Sequence, residues 1–197
     1  ALNSGPAAVR DLEIALADVL HAFRAGRSSL MSTIFRPRID KILFAATKAD
    51  HLHHASHDRL EAILRMLTSR AIARAEDVGA AVDVIALAAL RATREAAVRH
   101  DGQTLDAIVG TPLKGEIVDG QTFDGLSEAA IFPGELPADP KLAFRGDALA
   151  LKDGEADYRF VRFRPPVPHL SDDGRPLPFP HIRMDRAMEF LLGDKLA

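Results

Sequence analysis

The sequence contains no cysteine and no tryptophan, and only one tyrosine among its 197 residues. The lack of cysteine excludes a disulfide framework, a zinc–thiolate site and a thiol nucleophile. No apolar run reaches the roughly 18 residues that cross a bilayer, and no signal-peptide pattern is present, so we predict a cytoplasmic protein without a transmembrane segment. With a net charge of −3, the chain also lacks the basic excess that favours nucleic acid as a partner.

Proline and glycine are scarce in the first half of the chain, where alanine is abundant. Ten of the 12 prolines and 10 of the 13 glycines lie after residue 100, whereas 23 of the 33 alanines lie at or before it. This division predicts an α/β fold with a helix-and-strand core over residues 1–100, a loop-rich β extension over 101–180 and a closing helix over 181–197. Six prolines between residues 165 and 180 predict a stiff, extended crossing over the surface.

Two short apolar runs flank a strongly periodic segment within the first region. Ile42–Ala46 and Val82–Ala86 have the length of strands that are buried on both faces. Between them, apolar residues recur at helical spacing over residues 57–77, with Ser56 as the N-cap and Gly79 as the stop. A strand, a helix and a strand in this order predict a parallel βαβ unit with a right-handed crossover.

Shorter patterns predict four further elements. They are a helix over residues 9–25 that ends at Gly26, a hairpin turn at Asp119-Gly120, a strand over 158–163, and an amphipathic helix over 182–192 that ends at Gly193.

The most informative polar residues follow the first predicted strand, and they are Thr47, Lys48 and Asp50. Ligands of open α/β sheets bind at the carboxyl ends of strands, so this position suits a site. A rigidly held carboxylate at Asp50 can accept hydrogen bonds from the ring N–H and the exocyclic amine of guanine. The aliphatic stem of Lys48 can lie along the face of the base. The pattern [Asn/Thr]-Lys-x-Asp is the guanine-specificity motif of P-loop GTPases. The alternative interpretation of these three residues is a polar loop that caps a buried strand.

The second predicted strand ends in Ala88, Ala89 and Leu90. GTPases of this class place Ser-Ala-Lys or Ser-Ala-Leu here, and backbone N–H groups of that loop meet the guanine carbonyl oxygen. Small residues allow the backbone to approach a flat base, and Ala88 lacks only the usual serine hydroxyl. Ordinary strand packing is the alternative explanation.

Longer strings resemble the YcjX-type family of bacterial P-loop nucleotide-binding proteins over nearly the whole chain. The matching strings are residues 40–54, 58–61, 87–93, 130–134, 162–166 and 180–194. Members of that family are about twice as long or longer, so the resemblance implies that this chain corresponds to their C-terminal half. The first residue is Ala1 and not Met, which indicates a processed chain, a tagged and trimmed chain, or a fragment.

The chain has no Gly-x4-Gly-Lys-[Ser/Thr] loop and no Asp-x-x-Gly switch motif. Both motifs precede the base-recognition motif in GTPases. The resemblance therefore implies that this chain supplies base recognition, whereas phosphate binding, Mg²⁺ and the unknown catalytic residues of a slow nucleotide hydrolase lie outside it. We predict GTP or GDP as the ligand, with ATP or ADP as the alternative. A protein partner is expected but unknown.

Other polar groups have simpler explanations. The histidines at positions 51, 53, 54 and 57 could bind Zn²⁺ or Ni²⁺, but we interpret them as a polar loop and predict no metal site. Glu128, Glu135 and Asp139 are interpreted as solvated surface acids. Arg162 and Arg164 alternate on one strand face and could contact a phosphate, but we favour ion pairs with these acids. A non-enzymatic scaffold or stress-associated adaptor, with residues 101–197 as a docking module, remains the rival function.

Overall fold

The computed structural model describes residues 6–22, 39–77, 79–144 and 158–196. These ranges hold the following helices and strands: α1 (Pro6–Ala22), β1 (Lys41–Thr47), α2 (His57–Leu67), α3 (Ser69–Asp77), β2 (Ala81–Leu87), β3 (Arg94–His100), β4 (Gln103–Gly110), β5 (Ile117–Val118), β6 (Gln121–Thr122), β7 (Ala129–Ile131) and α4 (Met184–Leu196). Within them, no helix has both the length and the hydropathy that spanning a bilayer requires.

Strands β1 and β2 form a parallel two-stranded sheet, as predicted from the two apolar runs. The register pairs Lys41 with Ala81 at one end and Thr47 with Leu87 at the other. The strands therefore end side by side, and the loops that follow them leave the same edge of the sheet.

Helices α2 and α4 cover opposite faces of this sheet. On one face, Ala46 and Ala86 pack with Leu60 and Ile63 of α2. On the other, two ion pairs join the strands to α4: Lys41 to Asp194 at 2.7 Å and Asp83 to Arg186 at 2.9 Å. Side chains alternate along a strand, so Asp83 points away from the face that carries Ala86. The parallel pair is thus covered on both faces, although less completely than predicted: the middle of β2 is buried, whereas β1 is half-buried up to its exposed last residue.

Among the described residues, no regular strand pairs with the outer edge of β2, but three amides along this edge have acceptors. Val84 N–H donates to Asp83 Oδ1 at 2.9 Å, Ala86 N–H to Glu61 Oε1 at 2.8 Å, and Ala88 N–H to Ile182 O at 3.1 Å. An edge occupied in this way offers little for a further strand to pair with.

The helical segment begins at His57 and ends at Asp77, as predicted, but it is not one helix, because it is interrupted at Thr68. The Thr68 hydroxyl donates to Leu64 O at 2.8 Å, a bond to the preceding turn that bends helices. The predicted stop is confirmed: Gly79 has φ +80°, its N–H donates to Glu76 O, and Ala80 N–H donates to Ala75 O. These two bonds form a Schellman motif. Ser56 precedes α2 but makes no side-chain capping bond.

The rest of the chain builds an antiparallel sheet in the order β3-β4-β7, together with the hairpin β5-β6. The predicted turn at Asp119-Gly120 joins β5 to β6, and both of its residues have positive φ (49° and 77°). This backbone matches the twist of a tight hairpin.

The predicted strand over residues 158–163 is wrong, although this segment does contact the antiparallel region. Only an isolated bridge between Phe163 and Pro112 forms, flanked by Leu113 N–H to Arg162 O and Arg164 N–H to Thr111 O, both at 2.8 Å. Pro112 lies between these two bonds, where no ladder bond requires its missing N–H. The ladder does not continue past Arg162, because the Arg162 N–H donates to Glu116 Oε2 at 2.9 Å instead of to Leu113 O.

The proline-rich segment is exposed as predicted, but it is not a straight crossing. It folds back on itself at Ser171–Gly174, where Leu170 bridges Pro176. Helix α4 runs through Gly193, so the predicted stop there is wrong. The first helix ends at Ala22, and Gly26 lies outside the described residues.

Candidate functional site

The loop after β1 turns sharply so that Asp50 is directed inward. Lys48 takes the left-handed conformation, with φ 61° and ψ 39°, and Ala49–His51 form a single 3₁₀ turn. Thr47 and Lys48 are exposed, whereas Asp50 is only 4% exposed. A left-handed residue other than glycine is uncommon and is a frequent mark of a functional loop.

Residues 88–93 form the loop after β2, and a segment near the end of the chain holds its first part. Ala88 exchanges two backbone hydrogen bonds with Ile182, at 3.1 and 2.8 Å, and Arg91 N–H donates to Pro180 O at 2.7 Å. Ala89 and Leu90 between them are exposed. Among the described residues, the amides of Ala89 and Leu90 have no hydrogen-bond partner.

The two loops meet at Asp50. Ala92 N–H donates to Asp50 Oδ2 at 2.9 Å, and the Thr93 hydroxyl donates to the Asp50 backbone oxygen. The contact therefore joins Asp50 to Ala92 and Thr93, which sequence reasoning did not single out as site residues. Asp50 Oδ1 has no hydrogen-bond partner in the part of the chain that the structure describes.

Two histidines of the tract support this corner of the molecule. His57 Nε2 donates to Ala49 O at 2.9 Å, which holds the 3₁₀ turn against the start of α2. Burial lowers the pKa of His57 below its ordinary value, although the bond to Ala49 opposes the shift. Burial also lowers the pKa of His51, whose ring packs edge-on against Phe163. Both rings are therefore neutral at physiological pH.

The other two histidines of the tract lie beside acidic residues of the antiparallel sheet. One ligand atom each from His53, His54 and Glu95 lies within 4.8 Å of the others. The pKa of Glu95 is held below its usual value: burial would raise it, but the hydrogen bond from His54 and the nearby charges of His54 and Arg91 outweigh burial. These side chains are the ones in this region that could hold a metal.

A cleft of about 80 Å³ opens beside His53, lined also by Arg59, Asp106 and Glu135. Its volume is far below the roughly 300–1,000 Å³ of ordinary small-molecule pockets, so it does not hold a nucleotide.

The expectation that Glu128, Glu135 and Asp139 pair with Arg162 and Arg164 is wrong. Arg162 pairs with Glu116 at 2.6 Å, and Arg164 donates to Gly125 O at 3.3 Å. Glu128 instead pairs with Arg94 and Glu135 with Arg59, while Asp139 Oδ1 accepts from Lys141 N–H. All three acids lie on the surface, as expected.

The model of the YcjX-like family, DUF463, matches residues 1–196 of this sequence. The chain belongs to the YcjX-like family. It is 36% identical over 195 residues to a protein of Escherichia coli strain K12 named Ras-like GTPase YcjX. It is 30% identical over 197 residues to a protein of the same name from Shewanella oneidensis strain MR-1.

These matches to YcjX-like proteins cover 99% and 100% of the present chain. They cover only 37% and 36% of the two relatives, so the chain spans little more than a third of their length. The family resemblance noted in the sequence is thereby confirmed.

Proposed function

We propose that this chain supplies the guanine-recognition part of a GTP-binding protein of the YcjX-like family. The observation that carries the proposal is the hydrogen bond from Ala92 N–H to Asp50 Oδ2, at 2.9 Å. It ties the loop after β1 to the loop after β2, and these are the loops from which GTPases recognise guanine. The two relatives named Ras-like GTPase support the same assignment.

Asp50 is the group proposed to read the base. Each carboxylate oxygen can accept two hydrogen bonds, so Oδ2 can keep the amide of Ala92 while the carboxylate also accepts from guanine. In a buried setting such bonds are stronger than in water. Because Asp50 is only 4% exposed, nucleotide binding has to uncover part of this carboxylate.

The remaining contacts are assigned to groups beside Asp50. Lys48 is exposed and in a rigid left-handed turn, so its stem can cover one face of the base. Ala89 and Leu90 offer the free amides of the second loop to the guanine carbonyl oxygen. The amide of Ala88 donates to Ile182, which leaves Ala88 to position its neighbours. Thr47 is the exposed last residue of β1, directly before Lys48, and is assigned to the rim of the same site.

We also propose that β1 and β2 form the far side of a larger parallel sheet of the P-loop type. The outer edge of β2 is occupied by Glu61, Asp83 and Ile182, whereas no strand among the described residues pairs with the other edge of β1. Phosphate binding, Mg²⁺ coordination and hydrolysis are assigned to the rest of the intact protein, because no motif of this chain fits a phosphate group.

The test is to change the preferred base. In the intact protein, Asp50→Asn replaces an acceptor oxygen with a donor that faces the guanine N–H groups. We expect GDP affinity to fall by about 30- to 1,000-fold, on the order of 2–4 kcal/mol. Xanthosine diphosphate carries a carbonyl oxygen in place of the guanine amine, so its affinity should rise. Equilibrium binding of labelled nucleotides at fixed salt and Mg²⁺ measures both.

The gain of xanthine binding separates base recognition from misfolding, since an unfolded variant gains nothing. Asp101→Asn is the matched control, because its side chain is 91% exposed in a turn between β3 and β4. Unchanged GDP affinity in Asp50→Asn would refute the role of Asp50. Equal affinity of the wild type for ADP and GDP would favour an adenine nucleotide or a non-selective site instead.

A further inference from the structure

Two neighbouring histidines and two carboxylates converge on one side of the loop after β1. Nδ1 of His54 is 2.6 Å from Glu95 Oε2, and Nδ1 of His53 is 3.5 Å from Asp106 Oδ2. The ligand atoms of His53, His54 and Glu95 all lie within 4.8 Å of one another. We propose that His53, His54 and Glu95, with Asp106 beside His53, form a site for one divalent transition-metal ion of the Zn²⁺ class.

The backbone brings these side chains together from two directions. Glu95 lies on β3 two residues before Ala97, which pairs with Asp106 of β4, so both carboxylates project from the same face of the antiparallel sheet. His53 is extended and His54 begins the 3₁₀ turn that precedes α2. Their rings lie with centroids 4.3 Å apart.

The environment of His53 favours a cation at this place. Its Nδ1 accepts a hydrogen bond from Ala55 N–H, although at a long 3.4 Å, so this nitrogen carries a lone pair. The same nitrogen faces the carboxylate of Asp106 at 3.5 Å. A metal ion between this nitrogen and the Asp106 oxygen would bind both atoms and would replace the long bond from Ala55 N–H.

The donor set is suited to a borderline metal. Imidazole nitrogen and carboxylate oxygen bind Zn²⁺ at about 2.0–2.2 Å in tetrahedral sites, whereas Mg²⁺ and Ca²⁺ prefer oxygen alone. Arg91 donates to Glu95 Oε1 at 3.1 Å, which orients the carboxylate and leaves Oε2 toward the histidines. The site is half-enclosed, so an ion can enter it from solvent. The side chains of His53 and Glu95 are 13% and 26% exposed, whereas those of His54 and Asp106 are 66% and 52% exposed.

A metal here would link the loop after β1 to the antiparallel sheet, because His53 follows Asp50 by three residues and Glu95 is on β3. The site takes no residue from the proposed guanine contacts. Its test therefore does not depend on the proposed function.

The test uses the intact protein without a histidine tag, stripped of metal with a chelator and kept in millimolar Mg²⁺ so that hard-cation sites are filled. Zn²⁺ is titrated in competition with a fluorescent chelator, and Co²⁺ serves as the spectroscopic probe. We expect the wild type to bind one Zn²⁺ ion per chain. His54→Ala and Glu95→Gln should each weaken this binding by at least about 100-fold. Changes to groups that only hydrogen-bond to a metal ligand typically weaken binding by about 10- to 100-fold. Four-coordinate Co²⁺ absorption should disappear with it.

His100→Ala is the control, because this histidine is 72% exposed on the same sheet, away from the cluster. It should keep the wild-type affinity. Both test positions tolerate change without a loss of core packing, since His54 is exposed and Glu95→Gln keeps the shape of the side chain; circular dichroism verifies this. Zn²⁺ affinity that is equal in the wild type and both variants, or no Zn²⁺ bound by the wild type, overturns the proposal.

Discussion

The carboxylate of Glu61 joins three parts of the molecule at a single atom. Its Oε1 accepts from Ala86 N–H at 2.8 Å and also pairs with Arg183, which precedes α4. Arg183 in turn reaches Asp58 at 3.3 Å, one turn earlier on α2. One side chain of α2 thus satisfies the edge of β2 and anchors the segment that leads into α4.

Removal of this carboxylate should destabilise the protein. Glu61→Ala leaves the buried amide of Ala86 and the guanidinium of Arg183 without their shared acceptor, a loss of about 2–3 kcal/mol. Glu61→Gln should lose less, because its amide oxygen can still accept from Ala86. Urea denaturation gives the change in unfolding free energy.

Glu76→Ala on the exposed side of α3 is the control for this measurement, and it should stay within about 0.5 kcal/mol of the wild type. A Glu61→Ala variant as stable as Glu76→Ala would show that the bond to Ala86 contributes nothing.

At the scale of the element, local sequence predicts where helices and strands form, but it does not predict where a hydrogen bond of a single side chain interrupts them. The strands were predictable because Ile42–Ala46 is apolar throughout, Val82–Ala86 is apolar except for Asp83, and both runs are short. The break at Thr68 was not predictable, because it depends on whether the Thr68 hydroxyl donates to Leu64 O or to water. Likewise, the extension of a strand around Phe163 depends on Glu116, whose side chain accepts from Arg162 N–H at 2.9 Å, and only the three-dimensional structure shows that contact.

Gly193 and Gly79 have opposite roles in their helices. Gly193 is inside α4, and a Cβ added there meets only Glu189 Cγ, at 3.6 Å. Gly193→Ala should therefore stabilise the protein by about 0.5–1 kcal/mol. Gly79 ends α3 with φ +80°, so Gly79→Ala should destabilise it by about 1 kcal/mol or more.

Thermal unfolding of both glycine variants tests this assignment, with Gly174→Ala, an exposed turn glycine at φ 78°, as a second positive-φ comparison. A fall in melting temperature for Gly193→Ala would mean that α4 ends at this glycine after all.

At the scale of the whole molecule, the candidate site was only half predictable. Thr47, Lys48 and Asp50 form a local motif, and their place at the end of a strand follows from the sequence. The hydrogen-bond partners of Asp50 and of Ala88 could not be predicted from the sequence. Ala92 is more than 40 residues from Asp50, and Ile182 is more than 90 residues from Ala88. Contacts of this range are set by how the layers pack, which residue patterns do not encode locally.

The stability of the folded chain should depend on pH through His57. The folded protein holds the pKa of His57 below 6.5, while the unfolded chain has the ordinary value. Below about pH 6.5 the unfolded state therefore binds more protons than the folded state. The contribution of neutral His57 to the free energy of unfolding is complete above that pH, and it is lost as the pH falls toward the pKa of His57 in the folded protein.

We expect His57→Gln, which can still donate to Ala49, to lose less stability than the wild type between pH 7.5 and 5.5. Denaturant midpoints at both values measure the difference. His100→Gln should behave as the wild type, since that ring is exposed. Identical losses in His57→Gln and the wild type would contradict the assignment.

The packing of α4 against β1 and β2 has a consequence for how the protein is made. Ribosomes add about 5–20 residues per second, so on the order of 5–20 s separate the synthesis of β2 from that of α4. During that interval one face of the parallel pair, including the fully buried Ile85, lacks its cover. Until residues 180–196 have been made, Ile85 on this face lacks the helix that packs over it, and Lys41 and Asp83 lack their ion-pair partners on α4.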